Sequence, residues 1–418
     1  MNDEGGVETQ EMYVQCCIAG GGPAGMVLGL LLARAGVKVA VLEKHADFLR
    51  DFRGDTIHPS TLEIMHELGI LEEFLKRPHQ EARELGAVIG GTTLKVIDFS
   101  HLPTRCKFIA LMPQWDFLNF IAENARRYSS FQLRMETEVT DLIWDHERVI
   151  GVRAKTPHGR LEIRSALVVG TDGRHSTVRE KASLEIVDLG APMDVLWMRL
   201  SRREDDPGQT LGRFDTGRIL VMINREDYWQ CAFVIKKGSW AEIQQKGLPA
   251  LRDELVRLAP FLGDRVNELS SWEDLKLLTV AADRLKQWYR PGVLCIGDAA
   301  HAMSPIGGVG INLAVQDAVA TGNILTAPFL RGAITVDDLS KIQRRREWPT
   351  QMTQRLQAFV QDRVIGRVLG GGERPSAPLV LRLMNGWPLL RRIPARVLGV
   401  GFRPEHVRTT DSGITRTL

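Results

Sequence analysis

A chain of 418 residues, 44% hydrophobic and 25% charged, has an ordinary soluble globular composition and is long enough for two or three domains around a large core. No run approaches the roughly 18 apolar residues of a membrane span. Met1–Met12 is acidic and glycine-containing rather than signal-like, and Cys16, Cys17, Cys106, Cys231 and Cys295 have neither metal-ligand spacing nor the even number of a disulfide framework, so a reducing cytoplasm is expected. The net charge of +3 conceals an asymmetry, because the last 88 residues hold 16 Lys or Arg against 7 Asp or Glu. Such a tail either covers a core as arginine-rich helices or attracts nucleic acid, anionic lipid or an acidic partner. The helical cover is the commoner arrangement, so no nucleic-acid partner and no stable membrane insertion are expected.

The first predicted unit is Val14–Glu43. Val14–Ile18 is a short apolar run suited to a buried parallel strand, and Gly20, Gly22 and Gly25 follow in the spacing GxGxxG. Gly20 permits a tight turn, Gly22 lets a pyrophosphate approach the backbone, and Gly25 allows the helix to pack close to its strand. Pro23 and Ala24 open that helix, where a missing N–H costs nothing and the free N–H groups favour an anion. Met26–Ala35 is the helix body, Gly36 its stop, and Val37–Leu42 the second strand. Glu43 then stands 23 residues past Gly20, where a dinucleotide site places an acid on the ribose hydroxyls. Glycines alone also mark ordinary turns. Strand, helix, second strand and terminal acid together predict dinucleotide binding.

After Lys44 a polar connection leads to Asp51–Asp55, a glycine-flanked loop in which Arg53 either reaches a phosphate or flavin edge or is simply solvated. Thr56–Leu68 reads as a helix opened by His58-Pro59-Ser60 and stopped by Gly69. Glu84–Phe99 reads as two strands around Gly90-Gly91. A helix follows Met112-Pro113, with Gln114 at its entrance as a cap or a ligand contact. Phe131–Trp144, Val149–Ala154 and Arg160–Leu167 read as strands. Val168–Gly173 is a second apolar strand running into a turn, with Asp172 as a turn aspartate or a cofactor neighbour.

From Ile186 to about Ala281 the texture changes to alternating strands, Met193–Leu200, Arg218–Ile223 and Tyr228–Ile235, with a helix over Pro249–Leu258. The hairpin is apolar on both faces, Ile219, Val221 and Ile223 on one and Leu220 and Met222 on the other, so one face should back onto the core and the other roof a ligand. Trp197, Met222 and Trp229 are the expected pocket lining. With no Lys or Arg interleaved to pair a carboxylate, the expected ligand is a largely neutral, apolar ring system. Gly292–His301 is a third apolar strand, ending in Gly297-Asp298. It is followed by Pro305–Asn312, glycine-rich and opening a helix over Leu313–Leu325, a second place where backbone N–H groups meet an electron-rich group. His301 is either a proton relay or packed beside the glycine loop. From Ile334 the chain reads as helical and basic, broken at Gly370–Gly372.

Three motifs in this order, GGGPAG with Glu43 behind it, GTDGRHSTVR at Gly170–Arg179 and GDAAHAMSPIGGVGINLA at Gly297–Ala314, resemble those of the class A flavoprotein monooxygenases of the para-hydroxybenzoate hydroxylase type. The likeness covers about Val14 to Leu325. It implies an α/β fold in which a GxGxxG FAD-binding Rossmann-like domain (12–84, 112–185 and 282–333) holds an inserted mixed β-sheet substrate domain (85–111 and 186–281), after a disordered lead-in (1–11) and before a helical C-terminal region (334–418). It also implies FAD bound by Gly20, Gly22, Pro23, Ala24 and Gly25 at the pyrophosphate and by Glu43 and Lys44 at the ribose. The backbone of Val139 would meet the adenine, with Arg53 near the flavin and Gln114 contacting the FAD. Asp172 would serve FAD and NAD(P)H, Asp298 the ribityl chain, and the backbone of Gly308, Gly310, Ile311 and Asn312 the isoalloxazine ring. Arg53 and Pro305 would stand beside the reaction.

The implied activity is an NAD(P)H-dependent and O2-dependent hydroxylation of a small aromatic molecule through a flavin C4a-hydroperoxide. The chain departs from the family in having Met222–Asn224 where benzoate hydroxylases carry a carboxylate-binding arginine, and the thioredoxin-like extra domain of larger relatives is not expected in it. A flavin reductase without oxygen chemistry and a non-catalytic binding protein of the same fold are the rival readings. Cys16 and Cys17 on the first strand disfavour thiol-disulfide chemistry, and the lack of a WxWxIP-like stretch disfavours a halogenase.

Overall fold

The computed structural model describes residues 9–49, 56–207, 211–370 and 378–413. In chain order the main elements are β1 (Thr9–Ala19), α1 (Pro23–Arg34), β2 (Val39–Leu42), α2 (Pro59–Glu67), β3 (Glu84–Ile89), β4 (Thr92–Asp98), α3 (Gln114–Ala125), β5 (Phe131–Arg134), β6 (Glu138–Asp145), β7 (Arg148–Thr156), β8 (Gly159–Gly170), β9 (Met193–Ser201), β10 (Leu211–Asp215), β11 (Arg218–Asn224), β12 (Tyr228–Lys236), α4 (Leu248–Leu258), β13 (Val293–Cys295), α5 (Gly310–Leu330), α6 (Val336–Val360), α7 (Leu379–Gly386) and α8 (Arg392–Gly399).

The first sheet has a parallel centre, β13-β8-β1-β2-β5, with β7 and β6 added antiparallel on β8. Cys16, Cys17, Ile18 and Ala19 are fully buried, as a parallel strand covered on both faces must be. Burial holds the Cys17 thiol up at about 12, so it stays protonated and inert. α1 is buried from Ala24 to Ala33, lying between the sheet and the helices α3 and α5. The strand does not start at Val14, nor does the expected lead-in run to residue 11. Thr9–Tyr13 pair with Arg160–Arg164, and Gln10, Glu11 and Tyr13 of this stretch are exposed. The expected strand Phe131–Trp144 is likewise broken, at Glu136 (φ +49°), where the Glu136 and Thr137 N–H groups turn to the His45 and Glu43 carbonyls at 2.9 and 2.8 Å.

The second sheet runs from Lys276–Leu278 through β9, β12, β11, β10 and β3 to β4, antiparallel except between β10 and β3. Its two faces carry different neighbours. Leu220, Met222, Trp229, Cys231 and Phe233 pack with Leu251, Leu255 and Leu258 of α4 and with Leu262 and Val266 of the following 3-10 segment. Met193, Val195, Trp197, Ile219, Val221, Ala232 and Val234 lie on the opposite face with Ile306. Period-two alternation therefore reads correctly as two buried faces. Two of the three expected lining residues are on the wrong one. Met222 and Trp229 belong to the outer core under α4, each about 1% exposed, because their positions have the parity of Leu220; Trp197 has the parity of Val221 and is on the inner face.

Trp229 is fixed by a polar handle. Its indole N–H donates to Asp206 at 2.8 Å, and Asp206 accepts two hydrogen bonds from the buried Arg265 at 2.5 and 2.8 Å. Burial would raise the Asp206 carboxyl, but the hydrogen bonds from Arg265 and Trp229 hold it at about 2. A carboxyl depressed in the folded state stabilises above its unfolded range and loses that contribution as pH falls through its folded value. Asp206→Asn, which leaves Arg265 buried without a counter-charge, is expected to cost about 3 kcal/mol at neutral pH. The gap to the parent should close as the pH is lowered towards about 2. Denaturant unfolding across that range measures it, and a pH-independent gap would refute the assignment.

Candidate active site

The three glycine-containing motifs, far apart in the chain, meet at the C-terminal ends of β1, β8 and β13. At Gly20 (φ +107°) an added Cβ would lie 2.5 Å from the Thr171 carbonyl oxygen; at Gly25 it would lie 2.0 Å from the Gly20 carbonyl oxygen and 2.6 Å from the Thr171 hydroxyl. That hydroxyl donates to the Ala19 and Gly20 carbonyls at 2.9 and 2.7 Å, so the second motif is the buttress of the first. Gly297 (φ +60°) lies against Ala24 of α1 and Ala314 of α5, with a Cβ there 3.2 and 3.3 Å from theirs. Asp298 follows in the Gly297–Ala299 turn, half-buried.

Gly22 differs from its neighbours. A Cβ built on it meets nothing nearer than the Thr171 carbonyl oxygen at 3.9 Å, its backbone (φ −73°, ψ −177°) suits any residue, and α1 has no side-chain cap. Among the described residues no packing requires a glycine there. The first-turn N–H groups of α1 are left for an outside acceptor. Pro23, at the first position of α1, is half-buried and Ala24 buried.

Glu43, at the end of β2, accepts from the Gly21 N–H at 3.0 Å through one oxygen and lies 2.5 Å from His45 Nδ1 through the other. Lys44 beside it is exposed. Val139, on β6, lies two residues beyond Thr137, whose N–H donates to the Glu43 carbonyl at 2.8 Å, and pairs with Ala154 of β7. Gln114 is the first residue of α3, and its amide has no hydrogen bond among the described residues. Asp172 has both oxygens occupied inside its own turn, by the Ser176 hydroxyl at 2.5 Å and the Val178 N–H at 3.1 Å. Burial raises its carboxyl above the usual range against those hydrogen bonds. Arg53 lies outside the described residues.

The glycine segment after β13 is held from beneath by Asn312. Its Oδ1 accepts from the His58 N–H at 2.8 Å and the Thr61 hydroxyl at 2.7 Å; its Nδ2 donates to the Thr56 and Gly308 carbonyls at 3.1 and 3.3 Å. The side chain is thus fully used in tying α5 to α2, while a Cβ on Gly310 would meet nothing within 4 Å and Ile311 is buried. Pro305 is half-buried, and the next residue, Ile306, packs on the inner-face cluster containing Trp197 and Val221.

Sequence reading missed two groups. His58 was read only as a helix-start signal; it is completely buried, and burial lowers it to about 4 against its Leu398 carbonyl bond. A neutral ring beside that acceptor at 2.8 Å carries its proton on Nδ1. The second group is ionic. His301 Nε2 lies 2.6 Å from Asp317, which also accepts from the Gly297 N–H at 3.1 Å and from Arg346 at 2.9 Å. Arg346 reaches Glu405 at 3.4 Å, and Arg345 holds the same carboxylate at 2.6 and 3.1 Å. Burial would raise Asp317, but His301 and Arg346 bring it below the usual range. A relay needs partners on both ring nitrogens, yet His301 Nδ1 has none among the described residues and the ring packs on Trp288 at 5.0 Å; the packed reading of His301 fits. The signal for this network was the pair Gln316-Asp317 in an otherwise apolar helix.

The family model described as "FAD binding domain" matches residues 13–355. The chain is 31% identical over 392 residues to 6-methylpretetramide 4-monooxygenase of Streptomyces rimosus, covering 91% of this chain and 92% of that one. Among solved structures it is similar to the anhydrotetracycline hydroxylase OxyS of Streptomyces rimosus, with TM-score 0.71, 25% identity and 93% and 76% of the two chains covered. It is also similar in fold to the p-nitrophenol 4-monooxygenase PnpA of Pseudomonas putida DLL-E4, with TM-score 0.74, 21% identity and 93% and 96% covered.

The residues fit FAD. Gly22 leaves open the cradle that a pyrophosphate would fill, at an uncapped helix N-terminus, and the Glu43 carboxylate is oriented beside it by the Gly21 N–H. Gly22→Val is therefore expected to fold with the stability of the parent apoprotein while losing most of its FAD, whereas Gly25→Ala, whose Cβ collides with the Gly20 carbonyl, should lower the melting temperature even without FAD. Flavin absorbance per protein and melting of the apoproteins separate the two, and full FAD occupancy in Gly22→Val would overturn the placement.

Proposed function

The chain belongs to the FAD-binding domain family and is an FAD-dependent monooxygenase, and we propose that it hydroxylates a largely apolar, polycyclic aromatic small molecule of the phenolic polyketide kind. The observation that carries the substrate reading is the inner face of the second sheet. Trp197, Ala232 and Val221 lie in one row across β9, β12 and β11, next to Ile306 of the glycine segment, with Ile223 beyond them. None of these can pair a carboxylate, and burying an unpaired one costs several kcal/mol. A flat, neutral ring system matches such a wall, and the relative most alike among those compared above acts, by its name, on 6-methylpretetramide.

When bound, FAD reduced by NAD(P)H activates O2, one oxygen atom entering the substrate and the other leaving as water. The protein supplies geometry and a dry site. In this reading the α1 N-terminus at Gly22, Pro23, Ala24 and Gly25 takes the pyrophosphate, Glu43 and Lys44 the ribose, and the Val139 backbone the adenine. Gln114, Asp172 and Asp298 flank the chain between them. The N–H groups at Gly310, Ile311 and Asn312 would face the electron-rich ring beside the backbone of Gly308, whose own N–H donates to the Pro305 carbonyl at 3.0 Å, in a loop that Asn312 and Thr56 keep from moving. Arg53 and Pro305 are assigned to the flavin and substrate edge by the family resemblance. Trp197 orients the substrate ring and helps exclude water from it.

NAD(P)H oxidation by the holoenzyme is expected to be stimulated most by polycyclic phenols and little by benzoates, with one atom from labelled O2 in the product. Trp197→Ala should lower kcat/KM for the polycyclic substrate at least tenfold with FAD retained. Benzoates as the strongest stimulators would refute the substrate reading; turnover undiminished without oxygen would favour the reductase.

A further inference from the structure

The C-terminal helices have one face that the rest of the molecule explains and one that it does not. On the inner side Leu381 packs on the cluster of Ala87, Ile89 and Leu94, and Ala395 and Leu398 pack with Phe99, Leu102 and Trp197. The turn between α7 and α8 is pinned by Arg391, which is buried and donates to the Met384 carbonyl at 2.9 Å and to the Asn385 carbonyl. The outer side exposes Leu383 (44%), Trp387 (66%), Leu389 (66%) and Ile393 (65%). Isolated exposed apolar residues are ordinary, but four within eleven positions of one rigid hairpin form a patch.

Within the segment that carries the patch the charge has one sign. From residue 378 to residue 404 there are five arginines, Arg382, Arg391, Arg392, Arg396 and Arg403, and no Asp or Glu. Arg382, Arg392 and Arg396 are exposed beside the apolar side chains. The whole chain is only +3, so its positive charge is concentrated here. We propose that this face, α7, the Trp387–Leu389 turn and α8, docks peripherally on an anionic lipid bilayer surface. Tryptophan and leucine enter the headgroup and acyl boundary while arginines meet the lipid phosphates, the chemistry of an interfacial helix. A two-fold contact with a second copy would oppose the same arginines to one another, which disfavours that occupant. Among the described residues no helix is long and apolar enough to cross a membrane, so the attachment is to one leaflet.

The proposal is independent of the reaction. Purified holoprotein is sedimented with vesicles of phosphatidylcholine alone or mixed equally with phosphatidylglycerol, at low and high salt. Binding to the phosphatidylglycerol vesicles, weakened by salt and absent from phosphatidylcholine alone, is expected. Each of Arg382→Gln, Arg392→Gln and Arg396→Gln should lower the partition coefficient roughly fivefold. Trp387→Ser with Ile393→Ser should lower it roughly tenfold or more, with FAD content and melting temperature unchanged because these side chains are exposed. Failure to bind phosphatidylglycerol vesicles at low salt would overturn the proposal. So would variants that bind like the parent, or a soluble dimer that Trp387→Ser dissociates without any vesicle binding.

Discussion

A β-carbon on residue 25 would stand 2.0 Å from the carbonyl oxygen of residue 20, and the close approach that glycine permits there sets the geometry of the first sheet. It brings α1 down onto the end of β1, so that the helix begins where the strand stops and its free N–H groups open at the sheet's C-terminal edge. Thr171 can then reach across to the Gly20 carbonyl, and Gly297 can slide between Ala24 and Ala314. Three turns from distant parts of the chain are thereby fixed against one another, the first two by contacts too short for a Cβ on residue 20 or 25 and the third by the close packing of Gly297 on Ala24 and Ala314. Gly22, in the middle of the same turn, has no such neighbour. Its openness is conspicuous because every contact around it is tight.

The ionic chain from His301 through Asp317 and Arg346 to Glu405 does for the third turn what Thr171 does for the first. Asp317 takes the Gly297 N–H, so the turn carrying Asp298 hangs on a carboxylate that is wholly buried. A buried carboxylate is tolerable only with its partners in place; beside His301 these include Arg346, which comes from α6 and is held by Glu405. The basic C-terminal region is therefore part of how the Gly297-Asp298 turn is held, although it lies outside the three motifs. Such a network specifies an arrangement more than it stabilises one, since an apolar replacement of equal volume can be as stable.

What was legible in the sequence was what short-range pattern encodes. The spacing of Gly20, Gly22 and Gly25, the apolar strands ending in Asp172 and Asp298, and the hairpin around residues 224–227 all follow from turn chemistry and period-two or helical repeats. The extension of β1 back to Thr9 was hidden because it opens on the polar run Thr9-Gln10-Glu11, whose ladder partners on β8 lie about 150 positions away. The Asn312 ties to Thr56, His58 and Thr61 were hidden because they join residues more than 250 positions apart, and the Asp317 network because its links, 16 to 60 positions long, exceed any helical or strand repeat. Arg53 lies in a stretch the structure does not describe, so its role rests on resemblance.

The misplacement of Met222 and Trp229 has a more instructive cause. Alternation divides a strand into two faces but carries no information on which face meets which neighbour. The deciding information lay elsewhere in the chain, in α4, where Leu251, Leu255 and Leu258 recur at helical spacing and require an apolar surface of their own. Trp229 adds a second criterion, because a buried indole N–H needs an acceptor, and Asp206 with Arg265 provides one beneath α4. A face whose helix cover is amphipathic and whose polar groups are already paired is permanent core. The opposite face ends against Pro305 and Ile306, at the same turn whose glycines leave backbone N–H groups open, and it is there that a ring held against Trp197 would meet the edge of the flavin.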